Sequence, residues 1–163
     1  MRPDRLGGAG GRPPWWASTS PSWPSTERAS RWPVARCGWA RPRPNGSAPG
    51  GKPVVLDIDG WRLGLAICKD TRIPQHAADT AALGIDGYVA GIVHGEDEAN
   101  LHDENARRVT ADHNVWVATA SFAGSTGGGF APAAGRSGIW APDGTAVAQA
   151  GPETGAIAWT AMA

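Results

Sequence analysis

Apolar and polar positions follow two different patterns on the two sides of Gly51. After this residue, short apolar runs alternate with polar turns, which is the pattern of strands in a sheet. The runs predict strands at 54–58, 61–67, 85–93, 115–120, 138–141, 145–150 and 156–160. Asp59 and Gly60 form a tight-turn pair between the first two runs, which therefore predict a β-hairpin.

Helical spacing occurs in two of the segments between these strands. Residues 75–83 follow Pro74, which suits a first helical turn, and precede Gly84, which suits a helix end. Residues 98–113 are polar on one side and carry apolar residues at helical spacing on the other. The order of elements predicts an α/β (α+β) domain in which helices pack on one face of a mixed sheet.

Residues 1–50 contain one Leu, one Val and no Ile, against nine Pro, eight Arg and five of the nine Trp. Because so little aliphatic surface cannot offset the entropy of ordering, we expect a disordered or irregular segment before one domain at 51–163. Two other interpretations stay open. In the first, the segment is the product of GC-rich DNA translated in the wrong frame. In the second, which is less favoured, its Arg and Trp side chains bind single-stranded nucleic acid through charge and stacking.

The length of 163 residues suits one domain with its own core. The formal net charge is zero, but eight Arg against Asp4 and Glu27 give +6 in residues 1–50, and seven basic against thirteen acidic residues give −6 afterwards. Two cysteines without a secretory leader favour a reducing compartment, and the cytoplasm is expected. No apolar stretch is long enough for a membrane anchor.

Cys68 directly follows the predicted strand 61–67 and precedes a turn and a helix. Such an elbow exposes a sulfur atom while nearby backbone N–H groups can meet a developing oxyanion. On composition alone, an inert core cysteine explains a thiol after an apolar strand better. The choice between the two interpretations therefore depends on the residues around Cys68.

Those residues, Leu-Gly-Leu-Ala-Ile-Cys-Lys-Asp-Thr-Arg-Ile-Pro at 63–74, resemble the nucleophile segment of the nitrilase superfamily, the carbon-nitrogen hydrolases. Segments 82–86, 107–114, 121–124 and 135–144 are similar to later parts of that family, in the family's order. The resemblance extends from about Gly51 to Ala163. It implies a four-layer α-β-β-α sandwich, of which this chain carries the later part.

The resemblance also implies a chemistry for the elbow. Cys68 would attack the carbon of a small amide or nitrile and form a thioester or thioimidate, with the Lys69 backbone N–H assisting the oxyanion. Asp70 and Arg72 would orient the elbow through a local ion pair. No metal or organic cofactor is implied, and a homodimer is the default for an intact version.

Two catalytic groups of the family, a Glu and a Lys, precede the nucleophile. The only earlier Glu and Lys are Glu27 and Lys52, and neither has a matching context. We therefore expect truncation and impaired activity, and a non-catalytic remnant is the alternative. The acidic run 94–98 either selects substrate at a strand end or is a solvated loop.

Four histidines raise the alternative of a Cys-His hydrolase or a metal site. They are His76, His94, His102 and His113. Their spacing in the sequence supports neither type of site. We expect surface or helix-end histidines.

Overall fold

The computed structural model describes residues 52–127 and 129–161. The interpretations of residues 1–50 fall outside these ranges. A six-stranded mixed sheet is formed by β1 (Val54–Ile58), β2 (Trp61–Ile67), β3 (Gly87–Ile92), β4 (Trp116–Ser121), β7 (Gly138–Trp140) and β8 (Ala146–Gln149). The two-residue strands β5 (Ala123–Gly124) and β6 (Ala133–Ala134) lie outside this sheet. The strand order in the sheet is β1-β2-β3-β4-β7-β8.

Two crossover helices make the middle of the sheet parallel. Helix α1 (Pro74–Ala81) connects β2 to β3, and helix α2 (Asn100–His113) connects β3 to β4. The outer pairs β1/β2, β4/β7 and β7/β8 are antiparallel. In consequence, the carboxyl ends of β2, β3 and β4 lie at one edge, where open α/β sheets place their ligands.

Local sequence explains several boundaries of these elements. Asp59 and Gly60 both adopt positive φ angles, 48° and 87°, as the turn between β1 and β2 requires. Helix α1 begins at Pro74, whose missing N–H is not needed in a first turn. Helix α2 ends before Asn114, which has the left-handed φ of 53° that is common after helices.

The core lies between the sheet and the two helices. Alternate residues of β2, β3 and β4 face the helices, as the period of two in a strand requires. Tyr88 and the wholly buried Trp140 are the largest side chains of the core cluster, and Val117 is among its most deeply buried members. Its other buried members are Ala66, Ala77, Ile85, Ala90, Ile92, Ala106, Val109 and Val115.

Gly64 allows α1 to approach β2 closely. A β-carbon at this position would meet the Thr80 Cγ2 atom inside contact distance and lie 3.0 Å from Ile85 Cδ1. We expect Gly64→Ala to lower the free energy of unfolding by about 1–3 kcal/mol, the usual cost of overpacking. Gly91→Ala on the neighbouring β3 is the matched control, because nothing lies within 4 Å of its β-carbon position. Urea unfolding of both variants measures the difference, and equal losses would contradict close packing at Gly64.

Most of the predicted elements are confirmed, with ends that shift by a few residues. The Gly-rich loop at 124–135 is closed by a two-stranded ribbon, β5 (Ala123–Gly124) with β6 (Ala133–Ala134). The predicted strand at 156–160 is wrong, because these residues pair with no strand in the described part of the chain. Ile157 and Trp159 are each 81% exposed, so the apolar alternation there lacks the burial that a strand needs.

No helix in the described ranges has the length and apolar character that crossing a bilayer requires.

Candidate active site

Cys68 lies at the end of β2 and begins a 3-10 helix, Cys68–Arg72. Its φ angle is +42°, in the left-handed region, which costs a residue other than glycine about 1–3 kcal/mol. The half-buried thiol donates toward the Val93 carbonyl oxygen, with an S···O distance of 3.5 Å. The sulfur is thus held at the carboxyl ends of β2 and β3.

Hydrogen bonds on both sides of Cys68 close the elbow. The Asp70 carboxylate accepts the backbone N–H of Ile67 at 3.0 Å, immediately before the cysteine. The Thr71 hydroxyl donates to the Cys68 carbonyl at 2.7 Å, and Arg108 of α2 donates to the Thr71 carbonyl. These contacts supply the surrounding structure that a strained conformation needs in order to persist.

The expected ion pair between Asp70 and Arg72 is wrong. Arg72 pairs with Glu98 at 3.1 Å, in the short 3-10 helix Glu96–Glu98 that follows β3. Asp70 is only 8% exposed and points back to β2, whereas the exposed Arg72 side chain reaches outward. The elbow is therefore tied to the acidic run by Arg72 and closed internally by Asp70. Lys69, which lies between Cys68 and Asp70 in the chain, is exposed.

A buried polar chain lies behind the elbow. His76 of α1 and Tyr88 of β3 are each 1% exposed, and the His76 Nδ1 atom is 2.9 Å from the Tyr88 hydroxyl. The other ring nitrogen, Nε2, is 3.9 Å from the Asp70 carboxylate. Burial lowers the pKa of His76, although the charges of Asp70 and Asp79 oppose this shift.

His94 and His102 form a second buried pair. Each is 2% exposed, and their ring centroids are 4.8 Å apart. Their ring nitrogens have no hydrogen-bond partner among the described residues. Together with Asn105, the two rings line a cavity of about 10 Å³, the size of a single water molecule. No group of three or more potential metal ligands occurs in the described ranges.

Burial is the main cause that lowers the pKa of both histidines of this pair. For His94, the neighbouring His102 and Arg72 lower the pKa further, and Glu98 opposes them. For His102, a backbone group of Arg136 opposes the shift, although no contact of the ring meets hydrogen-bond geometry. Both imidazoles are therefore harder to protonate in the folded chain than in the unfolded one.

Three of the four histidines are not on the surface, although His76 and His102 do lie in the first turns of their helices. His76, His94 and His102 are almost fully buried, whereas His113 is half-buried at the end of α2. Sequence spacing does not show that the end of β3 and the first turn of α2 meet. The sequence does not reveal the buried pair, because only the crossover between these elements brings His94 and His102 together.

The acidic run borders an open groove. Residues 95–98 form one wall of this groove, and residues 129–132, which include Phe130, form the other. An isolated bridge between Gly95 and Ala133 joins the two walls at the groove end. The run is therefore a fixed part of the sheet edge that also carries Cys68.

Comparison with known proteins decides the family. The sequence profile of the carbon-nitrogen hydrolases matches residues 18–162, most of the chain. The chain belongs to the carbon-nitrogen hydrolase family. The match begins within the segment that composition predicts to be irregular. No curated protein sequence matches the chain.

Solved structures of the nitrilase superfamily are similar to this chain. Nit3 from Saccharomyces cerevisiae, of branch 10 of the superfamily, matches with a TM-score of 0.59 and 29% identity over 65% of this chain and 39% of its own. The NitN amidase from Nesterenkonia sp. AN1 matches with a TM-score of 0.62 and 22% identity over 71% of this chain and 45% of its own.

A variant amidase from Nesterenkonia sp. AN1 shows covalent addition of the acetamide moiety of fluoroacetamide at its active-site cysteine. It matches with a TM-score of 0.60 and 22% identity, over 69% of this chain and 43% of its own. The chain thus spans less than half the length of these three structures. The profile match confirms the predicted family, and the structural likenesses confirm its mixed α/β fold.

The buried histidines predict a pH dependence of stability for the described domain. Because the folded-state pKa of His94 and His102 lies below the ordinary 6.5, the unfolded chain takes up more protons as the pH falls below 6.5. The free energy of unfolding should therefore be highest above pH 6.5 and decrease from there toward the lowered pKa values.

Urea unfolding from pH 5 to 8 measures this dependence. His94→Gln with His102→Gln should flatten the decrease below pH 6.5, and His113→Gln at the end of α2 is the matched control. An equal slope in the double variant and in the wild-type chain would contradict a role of the buried pair.

Proposed function

We propose that Cys68 is the nucleophile of a hydrolase that acts on non-peptide carbon-nitrogen bonds, in a small amide or nitrile. The observation that carries the proposal is the elbow, in which a half-buried thiol is held at φ +42° at the carboxyl end of a parallel strand. Nucleophiles on strained strand-to-helix turns project their reactive atom into the crevice at the sheet edge. Membership of the carbon-nitrogen hydrolase family supports the same chemistry.

The proposed reaction proceeds through covalent catalysis. The Cys68 thiolate attacks the amide carbon, an S–C bond forms, and the carbonyl oxygen becomes an oxyanion. The oxyanion then collapses, the C–N bond breaks, and the amine leaves with the proton that the thiol gave up, so that a thioester remains. Attack on a nitrile would give a thioimidate, whose nitrogen takes up the proton. A water adds to the thioimidate, which loses ammonia and becomes a thioester, and a further water hydrolyses the thioester to a carboxylic acid and restores the thiol.

Lys69 contributes its backbone N–H to this proposal. It is the second residue of the 3-10 helix, and the first N–H groups of a helix have no acceptor within that helix. Such a donor beside the sulfur suits an oxyanion that develops on the attacked carbon. Asp70 and Arg72 would hold the turn through the separate contacts described above.

We further propose that the chain forms the covalent intermediate more readily than it turns over amides. An amine leaving group needs a proton, and a thioester needs an activated water, so each step calls for an acid or a base. Glu27 lies outside the described residues, and Lys52 is exposed just before β1. The alternative is a non-catalytic remnant, in which the thiol has no more reactivity than an ordinary cysteine.

Alkylation by iodoacetamide tests the proposal, with Cys37 as an internal comparison. We expect Cys68 to be alkylated faster than Cys37, and a small amide such as acetamide should slow Cys68 alone. Peptide mass spectrometry after short exposures gives both rates in one sample. Equal and slow labelling of the two cysteines would favour the remnant.

We also propose that the chain associates as a homodimer. Six large apolar side chains of the described domain are 41–81% exposed, and an interface between two copies would remove part of this apolar surface from water. They are Ile58, Leu83, Phe122, Val147, Ile157 and Trp159. Light scattering with size-exclusion chromatography measures the state, and a monomer at micromolar concentration would contradict the proposal.

A further inference from the structure

We propose that His76 and Tyr88 are positioning residues for the Cys68 elbow and act on it through Asp70. The inference rests on the proposed function, because it assigns these side chains to the support of a nucleophile. It concerns the geometry of the thiol and involves no transfer of a proton or electron between the residues.

The first step of the argument is the dual contact of the Asp70 carboxylate. It accepts the Ile67 N–H at 3.0 Å, so it fixes the backbone immediately before Cys68. The same oxygen, Oδ2, faces His76 Nε2 at 3.9 Å. The Asp70 side chain is only 11% exposed, and its carboxylate needs polar partners on its buried side, because unpaired buried charges are costly.

The second step concerns the two nitrogens of His76. Tyr88 can donate its hydroxyl hydrogen to Nδ1 across 2.9 Å, which leaves the hydrogen of a neutral ring on Nε2. That N–H then faces Asp70. At 3.9 Å the contact exceeds hydrogen-bond length, so it acts as an electrostatic interaction that orients the carboxylate. Burial lowers the pKa of His76 and favours this neutral form.

The third step is the position of these residues in the fold. His76 lies in the first turn of α1, and Tyr88 lies on β3 beside the strand that delivers Cys68. The chain of contacts therefore connects the elbow with the helix that follows it and with the neighbouring strand. A residue at φ +42° persists only where its surroundings fix it from several sides. The contacts among Asp70, His76 and Tyr88 fix it from one of those sides.

Three variants test the inference through the rate of Cys68 alkylation by iodoacetamide. Tyr88→Phe removes only the hydroxyl, and His76→Leu fills the space of the ring without an N–H group. We expect each to slow alkylation of Cys68 by about 10-fold, since small displacements of reacting groups cost one to two orders of magnitude. His76→Gln should restore most of the rate, because its amide N–H reaches the position of Nε2.

Thr80→Val is the matched control for perturbation of α1. The Thr80 side chain is fully buried one turn after His76, and its hydroxyl donates to the His76 carbonyl rather than toward the elbow. We expect Thr80→Val to leave the rate at Cys68 within about twofold, whatever its effect on stability. Circular dichroism verifies that each variant is folded. If His76→Leu does not fold, the rate in Tyr88→Phe alone tests the inference.

The inference would be overturned if folded Tyr88→Phe and His76→Leu were alkylated at Cys68 as fast as the wild-type chain. An equal loss in His76→Leu and His76→Gln would also overturn it, because the N–H group would then be irrelevant. Failure of the proposed function has a different signature, namely a wild-type Cys68 that reacts no faster than Cys37. The effect of the variants on Cys68 remains measurable in that case.

Discussion

Replacing Trp140 with alanine is expected to lower the free energy of unfolding by about 3–5 kcal/mol. The Trp140 side chain is completely buried in the core between the sheet and α2. Its indole N–H also donates to the Asp103 carboxylate in the first turn of α2, at 3.1 Å. Truncation would thus open a cavity and remove a hydrogen bond between β7 and α2. Such a loss is a large share of the stability of a small domain.

Urea unfolding followed by circular dichroism measures this loss. Trp159→Ala is the matched control, because it is the same substitution at a side chain that is 81% exposed. We expect it to change the free energy of unfolding by no more than about 0.5 kcal/mol. Similar losses in the two variants would contradict the placement of Trp140 in the core.

Replacing Cys68 with serine is expected to slow acylation of the chain by an activated ester at least about 10³-fold. p-Nitrophenyl acetate suits this experiment because its leaving group departs without an added proton. The serine hydroxyl has nearly the shape of the thiol but is not ionised at neutral pH. The elbow would therefore be kept while the nucleophile is lost.

Release of nitrophenolate within the first turnover gives the acylation rate. Cys37→Ser is the matched control, and it should retain the wild-type rate. Equal rates in wild type and Cys68→Ser would show that another group accepts the acyl chain. They would contradict the assignment of the nucleophile.

Much of the fold could be predicted because its signals are local. The Asp59-Gly60 pair sets the turn between β1 and β2, and Pro74 sets the start of α1. The position of Cys68 at a strand end follows from the apolar run before it. These features depend on residues that are close in the sequence.

The errors concern contacts between residues that are distant in the sequence, or choices between nearby partners. Arg72 selects Glu98 rather than Asp70, because Asp70 is already directed at the backbone of Ile67. His94 meets His102 only because α2 folds back over the end of β3. No pattern in a single sequence reveals such choices. The apolar alternation at 156–160 predicts a strand wrongly for a related reason, because a strand also needs a neighbouring strand with which to pair.

Of the buried polar residues around the elbow, some can be predicted from local sequence and others depend on distant contacts. Asp70 belongs to the resemblance at 63–74, so the sequence indicated its place beside Cys68. His76 was visible as a histidine in a predicted helix, but its burial and its partner Tyr88 depend on the crossover from β2 to β3. The support of the elbow is thus a property of the fold rather than of the motif.

The size of the burst with p-nitrophenyl acetate tests the central claim most directly. An active-site thiol that is acylated faster than it is restored releases about one equivalent of nitrophenolate per chain before the rate falls. We predict such a burst, with the acetyl group on the Cys68 peptide when the acid-quenched chain is mapped by mass spectrometry. No burst, or an acetyl group found on Cys37 or on lysines instead of Cys68, would contradict the account.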